Sequence, residues 1–159
     1  MRSDDLIASA RVLISNARST PGRPRQADLM RAISAAYYAI FHELCETVAN
    51  SFVGGPGADR SAKAWKQAYR ALDHYDAKKR CNQVSAGNGS FPAGIKKFAL
   101  EFSMLQDQRH SADYDPMHRA DIGAAEAEII RAEKAINDFR SCSAKDRGAF
   151  AVWIVFKMR

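Results

Sequence analysis

Arg109 stands at a position where the surrounding helical pattern calls for an apolar residue. Upstream of it, apolar side chains recur every three or four positions, as on a helix face turned toward a core: Ile95, Phe98, Phe102 and Leu105. A guanidinium keeps its charge and is costly to bury without a partner. The position therefore predicts either a structural ion pair with Asp113 and Asp115 or a site for an anionic ligand. Pro116 disfavours helical geometry at Asp115, so the helix should end close to this cluster.

Proton-transfer chemistry near Arg109 would need a histidine, because an imidazole titrates close to neutral pH. His110 is the nearest candidate, although it lies about 100° around the helix from Arg109. Tyr114 is a second candidate, as a proton donor or phosphate-positioning group, since a phenol with a pKa of ~10 is a poor base at pH 7. His42 and His118 are candidate helpers in a site shared by two subunits. His42 is otherwise a packed histidine satisfied by a neighbour.

The composition describes one globular domain covering residues 1–159. The chain is 47% hydrophobic and 26% charged, which excludes a disordered protein. Its three cysteines are scattered and form no CxxC pair, so we expect reduced thiols, no zinc site and a cytoplasmic location. We expect no signal peptide, because the first residues have no apolar run behind a basic region, and the longest apolar run is too short to cross a membrane. The net charge of +6 weakly favours a polyanionic partner such as RNA.

The apolar periodicity predicts an all-α, up-and-down bundle of about five to six helices. We expect helices over 26–52, from about 61 to 80, from about 92 into the Arg109 cluster, and over 122–139, after a first helix near the start. The third should pack through Trp65 and Tyr75. Residues 145–156 should form a last helix, because a strand there would have no partner. The predicted core contains the following residues: Ile33, Ile40, Leu44, Phe98, Phe102, Leu105, Ile129 and Ile136.

The second helix carries more apolar and aromatic positions than one core face needs. Tyr38, Phe41 and Cys45 form a second line beside the core stripe. An apolar patch of that size left open would be unusual on a soluble monomer. We therefore expect a homodimer built on the second and fourth predicted helices.

No recognised metal or cofactor signature is present. The chain lacks the Glu-x-x-His pairs of di-iron bundles, and the spacing of His110, Asp113, Asp115 and His118 matches no known ligand pattern. Phosphate-loop and nucleophile-elbow motifs are also missing. We predict no metal and no cofactor.

Two stretches resemble one known family. Residues 31–42, with the run Ala-Tyr-Tyr-Ala-x-Phe-His, resemble the long second helix of bacterial HEPN-domain proteins. Residues 105–116 are similar to the Arg-x-x-Ala-Asp-Tyr segment of the same family, with Arg109, Ala112, Asp113 and Tyr114 in the matching positions. The order of the two motifs also agrees. The resemblance covers about residues 6–139.

The HEPN resemblance implies a helical bundle that dimerises through the helices bearing these motifs. Many members are metal-independent RNases of toxin–antitoxin or other defence systems, some pair with a nucleotidyltransferase, and others are inactive and only bind. Active members carry a histidine four to six positions beyond the arginine and its polar neighbour. Here Tyr114, Asp115 and Pro116 fill that window, and the nearest downstream histidine, His118, has eight residues between it and Arg109.

The missing histidine favours a non-catalytic function. We expect a dimeric interaction module that binds a protein, nucleotide or RNA partner, with Arg109, Asp113 and Tyr38 as binding residues. The alternative is a metal-independent RNase with a composite site at the dimer interface, using Arg109, His110 and Tyr114. Whether the protein is an enzyme is open at this point, and so is an antitoxin or nucleotidyltransferase partner.

Overall fold

The computed structural model describes residues 2–156, and this part of the chain is all-α. A single 3-10 turn, Asn88–Ser90, precedes the fifth helix, and no strand occurs among these residues. The helices are α1 (Ser3–Ser19), α2 (Gln26–Val53), α3 (Ala62–Tyr69), α4 (His74–Ser85), α5 (Ala93–Tyr114), α6 (Ile122–Arg140) and α7 (Ala144–Val155). The predicted fold class is confirmed, with seven helices in the described residues instead of five or six.

Helix α2 lies at the centre of the bundle and packs against α1, α3, α5, α6 and α7. Half of its 28 residues are buried, which is expected of a helix that is apolar on more than one face. All eight predicted core residues are buried in one continuous cluster with α1, α5 and α6. The last predicted helix is also confirmed, as α7.

The prediction of one helix over 61–80 is wrong, because α3 ends at Tyr69 and a separate helix begins at His74. Asp73 caps the new helix, since its carboxylate accepts hydrogen bonds from the backbone N–H groups of Tyr75, at 2.8 Å, and Asp76, at 3.1 Å. The break turns Tyr75 outward, and it is 73% exposed instead of packed. The break also brings His74 onto the face of α2.

The second apolar line of α2 is covered within the chain itself. Phe41 and Cys45 are buried, and the imidazole of His74 lies 4.0 Å from the ring centre of Phe41. The open aromatic patch from which we expected a homodimer is therefore absent, because α3 and α4 occupy it. The homodimer itself stays a prediction that rests on the HEPN resemblance alone.

An ionic network whose buried members are Glu43 and Ser3 joins α1, α2 and α6. Arg140 donates to both carboxylate oxygens of Glu43, at 2.7 and 3.0 Å, and to Asp4 at 2.9 Å. Ser3 donates its hydroxyl to the same carboxylate at 2.6 Å. The hydrogen bonds to Glu43 contribute most to raising the pKa of Arg140, against the opposing effect of burial. The pair is bidentate, which fixes its geometry as well as its charge balance.

Two helix ends approach each other closely at Gly94. A Cβ atom placed there would lie 2.6 Å from the sulfur of Cys142 and 3.2 Å from the carbonyl oxygen of Asp138. Glycine therefore sets the distance between the start of α5 and the end of α6. In the same described part of the chain, every helix is too short or too polar to span a membrane.

Candidate functional site

The guanidinium of Arg109 is held between α2 and the last turn of α5. It donates through Nη2 to the hydroxyl of Tyr38 at 2.9 Å and to that of Tyr114 at 3.5 Å. Its Nε lies 2.7 Å from a carboxylate oxygen of Asp113, although the N–H is not aligned for a hydrogen bond. Ser34 of α2 donates to the other oxygen of that carboxylate at 2.5 Å. The predicted contact between Arg109 and Asp113 is thus present.

The rings of Tyr38 and Tyr114 also attract the positive charge of Arg109 through their faces. The guanidinium carbon lies 5.4 Å from the ring centre of Tyr38 and 5.3 Å from that of Tyr114, which is within the range of cation–π attraction. Burial acts to lower the pKa of Arg109, but Tyr38, Asp113 and Tyr114 outweigh it, so the pKa is raised. Nη1 of Arg109 has no partner among residues 2–156 and remains available to a ligand.

Asp115 does not compensate Arg109, contrary to the prediction. Its carboxylate accepts a hydrogen bond from the backbone N–H of Met117 at 2.9 Å, because the chain turns there after α5 ends at Tyr114. The predicted end of the helix is correct, and that same turn withdraws Asp115 from the cluster. The tyrosine hydroxyls take the place that the second acid was expected to fill.

Two histidines lie beside Tyr38, at ring-centre distances of 6.3 Å for His42 and 6.0 Å for His74. Nδ1 of His42 is 2.6 Å from the hydroxyl of Tyr69, and Nδ1 of His74 is 2.7 Å from that of Tyr37. Each imidazole is therefore fixed by a tyrosine through one nitrogen. For His42, this matches the alternative of a packed histidine satisfied by a neighbour.

The pKa values of both histidines are lowered. Burial is the main cause for each, and the charge of Arg109 lowers the pKa of His74 further, against the opposing effect of Asp73. Both imidazoles are therefore neutral at pH 7. A neutral imidazole beside an arginine and a tyrosine has the protonation state that a general base needs.

The other two predicted histidines lie on the surface side of the cluster. His110 is exposed and its ring centre lies 5.0 Å from that of Tyr114. His118 follows the turn after α5, where its N–H donates to the carbonyl of Asp115 at 3.1 Å. Within residues 2–156, His118 makes no hydrogen bond or ring contact with Arg109. The structure thus brings Tyr38, Asp113 and Tyr114 onto Arg109 and leaves His118 apart.

His74 is the site residue that sequence reasoning missed. It touches Tyr37 and Phe41, which lie more than thirty positions away in the chain, so no local pattern reveals the contact. The one available signal was Asp73, whose type suits a helix N-cap and could have placed His74 at a helix start.

A groove of about 520 Å³ opens beside Arg109 between α4 and α5. Its lining residues are Tyr75, Lys78, Lys79, Asn82, Gln106, Asp107, Arg109 and His110. Lys78 pairs with Asp107, and Gln106 donates its amide to the carbonyl of His74 at 3.1 Å. Three cations and one carboxylate make the groove electropositive. In the described residues, no group of three or more His, Cys, Asp or Glu side chains converges as a metal site.

The fold and the site define a broad class: an all-α bundle with an arginine held by tyrosines, beside two neutral histidines and a basic groove. Scans against models of protein families, against curated proteins and against solved structures found no match. The relationship to HEPN proteins therefore stays a prediction based on the two motifs.

Proposed function

We propose that this protein is a non-catalytic binding module that recognises the phosphate group of a nucleotide or RNA in the groove beside Arg109. The proposal rests on one observation, that the guanidinium of Arg109 is oriented by its neighbours but not fully hydrogen-bonded by them. Tyr38, Asp113 and Tyr114 orient it, while its Nη1 has no partner among the described residues and Arg109 lines the groove. An oriented guanidinium with a free edge suits a phosphate oxygen.

The surroundings of Arg109 support an anion over a neutral ligand. Lys78, Lys79 and His110 line the same groove, and Asp107 is its one acid. Asp113 offsets part of the charge of Arg109, so the site should bind phosphate moderately and respond to salt. The HEPN resemblance adds a homodimer, and an antitoxin or nucleotidyltransferase partner, to this proposal.

The alternative function is a metal-independent RNase. The observation that favours it is the position of His42 and His74, which flank Tyr38 and are neutral at pH 7. One neutral imidazole would take the proton of the 2′-hydroxyl as that oxygen attacks the phosphorus, and Arg109 would stabilise the charge on the phosphate. The bond from phosphorus to the 5′-oxygen would break, and the hydroxyl of Tyr114 would give its proton to the departing oxygen. This RNase would use His42, which the sequence named as a helper, or His74, which it did not indicate, in place of His110 and His118.

Phosphate recognition is tested by comparing the binding of UMP with that of uridine, which differs from UMP only in lacking the phosphate. We expect UMP to shift the Nε–H resonance of Arg109 and uridine to leave it in place. Arg109→Ala should lower the affinity for UMP at least tenfold, and Arg109→Lys, which keeps the charge but loses the planar fork, should restore it only in part. Equal binding of UMP and uridine to the wild-type protein would exclude phosphate recognition.

Stability is measured on the same variants. Because Asp113 is partly exposed and keeps its bond from Ser34, we expect Arg109→Ala to cost about 1 kcal/mol of unfolding free energy. A structural role alone would give a larger loss with no effect on UMP. Cleavage of RNA by the wild-type protein in EDTA, abolished in His74→Ala, would establish the RNase function in place of the binding module.

A further inference from the structure

A second positively charged surface lies on α3, away from the Arg109 groove. We call it the α3 surface, and it consists of Arg60, Lys63, Trp65, Lys66, Tyr69 and Arg70. Two adjoining hollows of about 560 and 530 Å³ share Lys66 and Arg70 between them. Glu46 lines the first hollow, and the second contains no acid. Residues 60–80 hold seven basic and two acidic side chains, an excess of five in a chain whose net charge is +6.

Three cations of the α3 surface lack an ionic partner. Lys63, Lys66 and Arg70 are exposed and make no ion pair among residues 2–156. On α1 and α6, by contrast, exposed cations are paired, as Arg11 is with Glu133 and Arg18 with Glu126. Exposed cations without an ion pair also occur elsewhere in residues 2–156, at Lys79, Lys97 and Lys145, but the α3 surface brings three of them together around two adjoining hollows.

A row of planar side chains connects the α3 surface to the Arg109 groove. Arg60 lies over the ring of Trp65, at 4.8 Å from its centre, and the indole stacks on Tyr69 at 5.1 Å. Tyr69 in turn stacks on His42 at 5.8 Å. From His42 the row continues to Tyr38, at 6.3 Å, and so to the guanidinium of Arg109. The rings are half-buried, and the unpaired cations stand beside them.

We propose that the α3 surface binds a single-stranded polynucleotide whose backbone continues along this row into the Arg109 groove. The inference rests on the proposed function for the Arg109 end of the path. Proteins that hold single strands without sequence preference use a positively charged groove that follows the backbone. The ring faces of the row are stacked on one another, so the cations beside them would make the contacts with the strand. A membrane surface fits less well, because the indole of Trp65 is turned inward to Asn50, at 2.9 Å, and is not free to insert into lipid.

The test compares a twelve-residue oligouridylate with UMP on two triple variants. The variant Lys63→Gln/Lys66→Gln/Arg70→Gln removes the unpaired cations, and Arg11→Gln/Arg18→Gln/Lys134→Gln removes three paired ones as the matched control. If three phosphate contacts are lost, affinity for the oligonucleotide in 0.1 M salt should fall about 100-fold, and the slope of log K against log salt should decrease by about 2. The control variant should bind as the wild type does, and UMP should bind both variants equally.

Four outcomes overturn the inference. Equal losses in the two variants would show a non-specific charge effect. Equal binding of a duplex of the same length would remove the single-strand preference, and binding only to anionic phospholipid vesicles would identify a membrane surface. Oligonucleotide binding that needs the α3 cations but survives Arg109→Ala would refute the shared path, whereas loss of UMP binding alone in Arg109→Ala concerns the proposed function. Thermal melts of all variants establish that each is folded.

Discussion

Arg109 owes its orientation to residues from two distant parts of the chain. Tyr38 reaches it from α2 and Tyr114 from the end of its own helix, while Asp113 approaches Nε. Because a guanidinium has five N–H groups in one plane, fixing some of them also fixes the direction of the others. These contacts fix the orientation of the guanidinium, so its remaining N–H groups point in a defined direction.

The buried histidines predict how stability changes with pH. The pKa values of His42 and His74 are lower in the folded protein than in the unfolded chain, where a histidine titrates near 6.5. Below about pH 6.5 the unfolded chain therefore binds protons first, and the free energy of unfolding should fall as the pH decreases. Urea denaturation at pH 7.5, 6.5 and 5.5 measures this loss.

The matching variants for that experiment are His42→Gln/His74→Gln and, as a control, His110→Gln. The double variant should lose much of the decline below pH 6.5, and the control should keep it because His110 is exposed. Parallel curves for the wild type and the double variant would show that other groups cause the decline. The titratable and charged groups that face these imidazoles are Tyr38, Tyr69 and His74 for His42, and Tyr37, Tyr38, Arg109 and Asp73 for His74.

At the scale of the helices, a capping residue predicts the boundary between α3 and α4 better than the apolar periodicity does. The apolar spacing from Trp65 to Tyr75 is compatible with one helix, yet the capping carboxylate of Asp73 starts a second one. Periodicity measures which residues share a face, but it does not measure whether the backbone remains helical between them. A capping residue inside an apolar pattern is therefore the stronger evidence for a boundary.

The close contact of α5 with α6 predicts that a glycine-to-alanine change destabilises the protein at Gly94 and not at Gly148. Gly94→Ala should destabilise the protein by about 1–3 kcal/mol, because the new Cβ would overlap Cys142 and the carbonyl of Asp138. Gly148→Ala is the matched control in α7, where nothing lies within 4 Å of the new atom. Its helix propensity should stabilise the protein by about 0.5–1 kcal/mol. Chemical denaturation of both variants gives the comparison, and equal effects would contradict the close approach.

At the scale of the whole molecule, the network around Glu43 joins the first helix to the sixth. Arg140→Met should leave the carboxylate of Glu43 buried with Ser3 as its remaining donor, and we expect a loss of about 2 kcal/mol. The estimate is modest for a buried pair because Arg140 is 39% exposed. Arg11→Met, which breaks an exposed pair, should cost less than about 0.5 kcal/mol. Similar melting temperatures for the two variants would show that the network is not needed for stability.

The sequence predicted the all-α core well and the site only in part. Core residues such as Phe98 and Ile129 follow a three-to-four spacing, which is a local property that a chain displays before it folds. The contact between Arg109 and Asp113 is also local, one helical turn apart. His74 packs on residues of α2, and that contact depends on how helices are placed in space. The predicted pairing of Asp115 with Arg109 was wrong because the carboxylate of Asp115 accepts a hydrogen bond from the backbone of the turn that follows it.

The position of α3 has a consequence for the order in which the bundle opens. None of its eight residues is buried, whereas each of the other α-helices in the described chain holds at least three that are. Less buried apolar surface is therefore exposed when α3 detaches than when another helix does. The amide hydrogens of α3 should exchange with deuterated solvent through local opening, whereas those of α2 should exchange only on global unfolding. Any partner that bridges α3 to the rest of the protein would slow that exchange, and the protection would mark where it lies.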